Sequence, residues 1–148
     1  MQFFKEWLQK KYNLPLRTCG CGLISCYECY ISGPGFVFLG SHFGGEFADV
    51  PELMSAYRQG DETATAAFNC YIDILGASFA NLVLAYDPDI IVLGGGISLI
   101  DEVVDQLPAH MEHYIFNGFN APPVVRAKYG DASGVRGAAI IAKGAMDG

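Results

Sequence analysis

Along residues 61–86, Phe68, Ile72, Leu75, Phe79, Leu82 and Tyr86 recur in alternating steps of four and three, which gathers them on one face of an α-helix. Asp87-Pro88 stops that helix. Ile90-Ile91-Val92-Leu93 is then a short β-branched run between Pro88 and Gly94-Gly95-Gly96, a pattern that predicts a strand buried on both faces. The glycines turn the chain into a helix over 99–114, capped by Ser98 and kinked or broken at Pro108. A second strand is predicted over 123–129 and an Ala- and Gly-rich helix over 134–145. Nearer the start, Phe3, Phe4, Trp7, Leu8 and Tyr12 share a helix face that ends near Asn13-Leu14-Pro15 and that something must cover. Residues 28–43 read as a helix disturbed by Ser32-Gly33-Pro34-Gly35, so its start is set at Gly35 or earlier. Asp49-Val50-Pro51-Glu52 opens a short helix reaching about 59, with Asp49 as N-cap and Pro51 in the first turn.

From residue 61 the order helix, strand, helix, strand, helix implies a parallel or mixed sheet with helices packed on it. Such a sheet normally has about four to six strands. Only two are legible, so partner strands are expected from elsewhere.

Composition narrows the function classes. Of 148 residues 51% are apolar, enough for a real core, and 16 acidic against 9 basic residues give a net charge of -7. No basic field exists to hold a phosphate backbone, which argues against nucleic acid as a partner. The longest apolar stretch, over 64–86, is broken by Asn69, Asp73 and Asn81, short of the ~18 unbroken apolar residues of a membrane span. The start, Met1-Gln2-Phe3-Phe4-Lys5-Glu6-Trp7, lacks the pattern of a secretory signal, so a cytoplasmic setting is expected and no membrane partner.

Five cysteines, an odd number, agree with a reducing compartment. Four of them lie within residues 19–29, in Cys19-Gly20-Cys21-Gly22-Leu23-Ile24-Ser25-Cys26-Tyr27-Glu28-Cys29. Cys19, Cys21 and Cys26, spaced by glycines that let the backbone fold tightly, are what a structural zinc site takes from a loop; unliganded buried thiols are the plainer reading. Cys70, in the long helix, reads as a small buried hydrophobe. Glu28 reads either as a ligand-binding carboxylate or as a solvated acid at a helix start. Gly94, Gly95 and Gly96 allow a nucleotide to approach the backbone, or simply make a tight strand-to-helix turn. His42, His110 and His113 lie far along the chain and read as surface or packing residues.

Three separated motifs together resemble the ROK family of sugar kinases, repressors and relatives, and within it the bacterial N-acetylglucosamine kinases. They are the C-x-C-G-x-x-x-C-x-E loop at Cys19, Cys21, Gly22, Cys26 and Glu28 with Ser32-Gly33 after it, then residues 86–98 (Tyr86-Asp87-Pro88 through Leu93-Gly94-Gly95-Gly96), then Gly130-Asp131-Ala132-Ser133-Gly134-Val135-Arg136-Gly137. The resemblance implies an α/β fold, here the C-terminal domain of a partial hexokinase/actin-like (ribonuclease H-like) architecture with a zinc-binding loop. Residues 15–34 would be the zinc and sugar loop and 61–148 the nucleotide-side core. It further implies structural Zn²⁺ on Cys19, Cys21 and Cys26, amino-sugar hydroxyls on Glu28, and ATP with Mg²⁺ in the complete enzyme near Gly94, Gly95 and Gly96.

The family's fourth zinc ligand, a histidine in a G-E-x-G-H motif, falls just before Met1. Two departures stand out: Ser25 where glycine is usual, and Cys29 where asparagine is common. Cys29 creates Cys26-x-x-Cys29, so it either completes a four-thiolate site or starts a helix that points it away. The family's D-x-G-G-T phosphate loop, its N-D catalytic aspartate and its G-T-G-x-G loop do not occur in these 148 residues; Asp73, Asp87 and Asp131 sit in other contexts. The expectation is therefore a C-terminal part of an N-acetylhexosamine kinase that is inactive alone, with no catalytic residue of its own. The alternatives are the effector domain of a ROK-type repressor, and a non-catalytic zinc-stabilised remnant. An orphaned sheet edge and the Phe3/Phe4/Trp7 face predict a homo-oligomer.

Overall fold

The long amphipathic pattern folds as one continuous helix, α5 (Glu62–Tyr86), opened by Asp61, whose side chain accepts from the Ala64 amide at 2.8 Å. Hydrogen bonds from Thr63 and Ala64 hold the Asp61 carboxyl below the ordinary carboxylate range. A computed structural model describes residues 2–129 and 132–146, with the backbone alone for Gln2, Phe3, Ser133, Ala145 and Met146. The Gly130-Asp131 part of the third motif and the Phe3 side chain lie outside the described residues. By length and composition α5 could cross a membrane, yet 61% of its most apolar window is buried inside the protein, as in a core helix.

The chain forms two compact units, Met1–Leu75 and Gly76–Gly148, with the division inside α5. The first contains α1 (Gln2–Tyr12), α2 (Glu28–Ile31), α3 (Gly33–His42) and α4 (Val50–Arg58) around the first half of α5. Its core is aromatic: Tyr30, Phe36, Phe68 and Tyr71 are fully buried, and the Phe36 and Tyr71 rings stack at 4.1 Å. The α1 face is covered from within the unit, because Phe4 packs on Tyr27 at 4.3 Å and on Tyr30 at 6.3 Å. Lys11 Nζ (2.8 Å) and Tyr12 Oη (2.5 Å) both donate to Asp73 Oδ2, tying α1 to α5 and accounting for the polar residue in the apolar stretch.

The disturbance expected within 28–43 is a break between two helices, and α3 starts at Gly33, within the expected bound of Gly35 or earlier. Ser32 makes the break with extended backbone (φ -76, ψ 168), accepts from the Gly35 amide at 3.1 Å as the cap of α3, and donates to the Glu28 carbonyl at 2.7 Å. The join is tight: a Cβ on Gly35 would meet the Tyr30 carbonyl carbon at 2.6 Å. Asp49 caps α4 as expected, accepting from Glu52 at 2.9 Å, with Pro51 in the first turn.

In the second unit β1 (Ile91–Leu93) pairs in parallel with β2 (Val124–Arg126), in the register Ile91↔Val124, Val92↔Val125 and Leu93↔Arg126. Among the described residues this is a two-stranded sheet. Here the expectation of a strand buried on both faces is corrected: Val92 is 57% exposed and Ile90 49%, since two strands have too little cover to bury both faces. Ser98 lies in a 3₁₀ turn (Gly96–Leu99) and donates to the Gly95 carbonyl, so it does not cap α6 (Asp101–Glu112). That helix runs through Pro108 and buries Val103, Leu107 and Met111. Gly76 of α5 passes the His110 backbone so closely that a Cβ would meet it at 2.8 Å. The last helix, α7 (Ser133–Met146), leaves Val135, Ile140 and Ile141 exposed.

Candidate functional site: a cysteine loop beside a polar cleft

Three cysteines converge because residues 17–25 close as a tight hairpin. Thr18 and Ile24 form an antiparallel bridge, the Cys19 amide donates to Leu23 at 2.9 Å, and the Gly22 amide donates to Cys19 at 2.9 Å. Gly22 turns the chain at φ +84, where only glycine is unstrained. Ser25 also sits at positive φ (55), the conformation glycine favours. Its side chain offsets that strain: the fully buried hydroxyl accepts from the Arg17 amide at 3.0 Å and donates to Tyr30 Oη at 2.9 Å. Tyr30 also reaches the Pro15 carbonyl at 2.9 Å, and burial raises its phenol above the ordinary value.

The sulfurs of Cys19, Cys21 and Cys26 lie within 4.8 Å of one another. Three thiolates bound at about 2.3 Å to one tetrahedral zinc would be about 3.8 Å apart, so a closure of about 1 Å suffices and the donor set is the soft one zinc favours. The residues fit that ion. Cys29 is buried at the start of α2, its thiol donating to the Arg17 carbonyl at 3.8 Å; burial, then the charges of Cys19 and Cys26, push it up to about 11. Cys70 is buried elsewhere in the core, apart from this cluster.

Glu28 is exposed at the first position of α2 and lines an open cleft of about 260 Å³ with Arg17, Thr18, Cys19, Cys29, Ser32 and Gly35. Ser32 belongs to the first motif, whereas Arg17 was not singled out as a site residue. Arg17 donates to the Cys29 carbonyl at 2.8 Å and stacks over the Phe38 ring at 4.0 Å, so a fixed guanidinium stands beside the carboxylate-bearing cleft. A lone Arg two residues before a cysteine carries no pattern that would reveal this. Burial raises the Tyr71 phenol well above its ordinary value, and the Glu28 charge acts in the same direction.

Gly94, Gly95 and Gly96 lie in the other unit, at the end of β1, all exposed. Gly95 has φ +77, and a Cβ on Gly95 or Gly96 would meet nothing within 4 Å. Their backbone is therefore open to solvent. Arg126 on β2 fastens the turn behind them, donating to the Ser98 carbonyl and pairing with Asp101.

Residues 10–145 match the pattern that defines the ROK family. The chain belongs to the ROK family. Among ROK relatives, it is 46% identical to an N-acetylgalactosamine kinase AgaK of Shewanella sp. (strain ANA-3), covering 90% of this chain and 44% of that one. It is 38% identical to an N-acetyl-D-glucosamine kinase of Salmonella typhi, covering 88% and 43%. The chain thus spans less than half the length of these curated relatives. A ROK hexokinase from Thermus thermophilus superposes with a TM-score of 0.72 at 31% identity, over 89% of this chain and 45% of that one. A ROK glucokinase from Streptomyces griseus, solved in complex with glucose and AMPPNP, gives 0.71 at 28%, over 84% and 46%. Over the matched part the fold is accordingly that of the ROK sugar kinases, here mostly helical with little sheet.

Proposed function

We propose that this chain is the C-terminal part of an ATP-dependent N-acetylhexosamine kinase. The observation that carries the reading is that Glu28 and the cysteine loop share one cleft in a chain whose curated relatives are N-acetylgalactosamine and N-acetylglucosamine kinases. Glu28, ionised and exposed, accepts hydrogen bonds from sugar hydroxyls, and its place at the start of α2 fixes where they are presented. Cys19, Cys21 and Cys26 hold zinc, which ties the hairpin and thereby the first turn of α2. Exposed Gly94, with Gly95 and Gly96, whose added Cβ atoms would meet nothing within 4 Å, leaves room for a nucleotide against the backbone. ATP supplies the phosphoryl group and Mg²⁺ neutralises its charge in the complete enzyme.

No Asp-Gly-Gly-Thr or Asn-Asp sequence occurs in these 148 residues. By the same reading the chain alone binds sugar weakly and transfers no phosphoryl group. Coupled ADP release from the purified chain with N-acetylglucosamine or N-acetylgalactosamine should stay at background; robust sugar-dependent turnover refutes that. The positive claim is tested by a chimera in which residues 10–145 replace the matching part of the Shewanella enzyme. Turnover is expected, and Glu28→Gln should lower kcat/KM by about 10- to 150-fold, the worth of hydrogen bonds to a charged group. A folded, inactive chimera, or one indifferent to Glu28, speaks against the kinase reading.

A further inference from the structure

The α2 helix is four residues long, well short of the roughly 12 residues a helix needs to hold itself in water. Its carbonyls meet no further helical turn, so their donors must come from outside it. Ser32 Oγ donates to the Glu28 carbonyl at 2.7 Å, Arg17 to the Cys29 carbonyl at 2.8 Å, and Tyr71 Oη of α5 to the Ile31 carbonyl at 2.8 Å. Ser32 is the cap of α3, and Tyr71 is stacked in the aromatic core. Arg17 reaches across from the hairpin, and it lines the cleft together with Glu28.

Arg17 is itself fixed at both ends. Its amide donates to Ser25 Oγ at 3.0 Å, its carbonyl accepts from the Ser25 amide at 2.6 Å, and its guanidinium lies over the Phe38 ring of α3 at 4.0 Å. A planar cation stacked on a ring and hydrogen-bonded to a carbonyl is held in orientation, not merely in place. We propose that Arg17 is a positioning residue for sugar binding: holding the Cys29 carbonyl from its Phe38 platform, it sets the turn of α2 that presents Glu28. The proposal rests on the reading that Glu28 accepts sugar hydroxyls, and adds the residue through which that carboxylate is aimed. Lysine at position 17 keeps the positive charge but loses the planar fork and the stacking, so charge beside the cleft and placement of Glu28 are separable.

Titration of the full chain with N-acetylgalactosamine or N-acetylglucosamine, followed by nuclear magnetic resonance, tests this. In the unaltered chain the sugar should shift the Glu28 amide, and Arg17 should show separate, slowly exchanging Nη resonances; a freely rotating guanidinium overturns the proposal. Glu28→Gln should raise the sugar dissociation constant at least about tenfold, and Arg17→Lys about fivefold. The double variant should lie within about twofold of Glu28→Gln alone, because a residue that acts through Glu28 has nothing to add once that carboxylate is gone. A general loss of structure, or a direct contact between Arg17 and the sugar, would instead add in full and refute the proposal, as would an unchanged affinity in Arg17→Lys. Phe38→Leu, which removes the platform and leaves Arg17, should weaken binding in the same direction; where Arg17→Lys does not fold, this variant decides, and unchanged affinity in it is a refutation. A chain that binds no sugar, or binds it without regard to Glu28, overturns the Glu28 reading and this proposal with it. Binding that needs Glu28 and ignores residue 17 overturns this proposal alone.

Discussion

In residues 1–75 the large aromatic side chains Tyr30, Phe36, Phe68 and Tyr71 are fully buried, whereas in residues 76–148 Val135, Ile140 and Ile141 are 75%, 70% and 75% exposed. Both stretches are rich in apolar residues, so composition does not separate them. Architecture does. Helices α1 to α4 and the first half of α5 can each turn one apolar face to a shared interior, and polar groups in that interior find partners, as Asp73 does in Lys11 and Tyr12. A sheet has two faces and two edges to cover, and β1 and β2 contribute three residues each. The apolar side chains of β1 and α7 are thus written for burial that a two-stranded sheet does not supply. That fits a chain spanning less than half the length of its curated relatives.

The contrast is broken most severely at Phe36, stacked on Tyr71 and fully buried. Phe36→Ala should cost about 3–5 kcal/mol, read as a lowered urea midpoint with unchanged slope. A cost below about 1 kcal/mol would mean that the first unit is no better packed than the second.

Alkaline titration sharpens the same contrast. Burial, then the Asp73 carboxylate, push the Cys70 thiol from 9.0 up to about 12, with Lys11 pulling the other way. The folded thiol keeps its proton while the unfolded one releases it, so its contribution is complete below about pH 9 and is lost as pH rises toward about 12. At its steepest one such proton is worth about 1.4 kcal/mol per pH unit. Denaturant titrations from pH 8 to 11 should therefore show a decline that Cys70→Ala makes shallower by about that amount. Equal slopes would place the Cys70 thiol in contact with water.

What could be read from the sequence follows from how local each signal is. The α5 helix, the Asp49 cap, burial of Cys70 and the convergence of Cys19, Cys21 and Cys26 all depend on spacing within a few turns and are found in the fold, although the expected α5 face is buried only at Phe68, Ile72 and Leu75 while Leu82 and Tyr86 are exposed. The break at Ser32 is legible from Ser32-Gly33-Pro34-Gly35, whereas α2 before it, four residues long, is too short to carry a pattern of its own. Strand burial was misread because a β-branched run tells how a side chain would be covered, not what is present to cover it. In the cleft, Glu28 was legible as a motif residue, whereas Arg17 was not: its role depends on the Cys29 carbonyl and the Phe38 ring, which the fold alone brings to it.

The smallest expected effect lies on α7. Ile140 is 70% exposed, so Ile140→Ser removes little burial and should change stability by no more than about 0.5 kcal/mol, while making the protein more soluble at high concentration. The measurement is a pair of urea titrations at two protein concentrations a hundredfold apart. A loss above about 1.5 kcal/mol that also grows with concentration would show Ile140 buried in solution against another copy, because association adds stability by mass action. The same loss without concentration dependence would show it buried within one chain. Either outcome would remove the contrast between the two stretches at its exposed end, whereas a neutral substitution leaves the α7 face as exposed apolar surface.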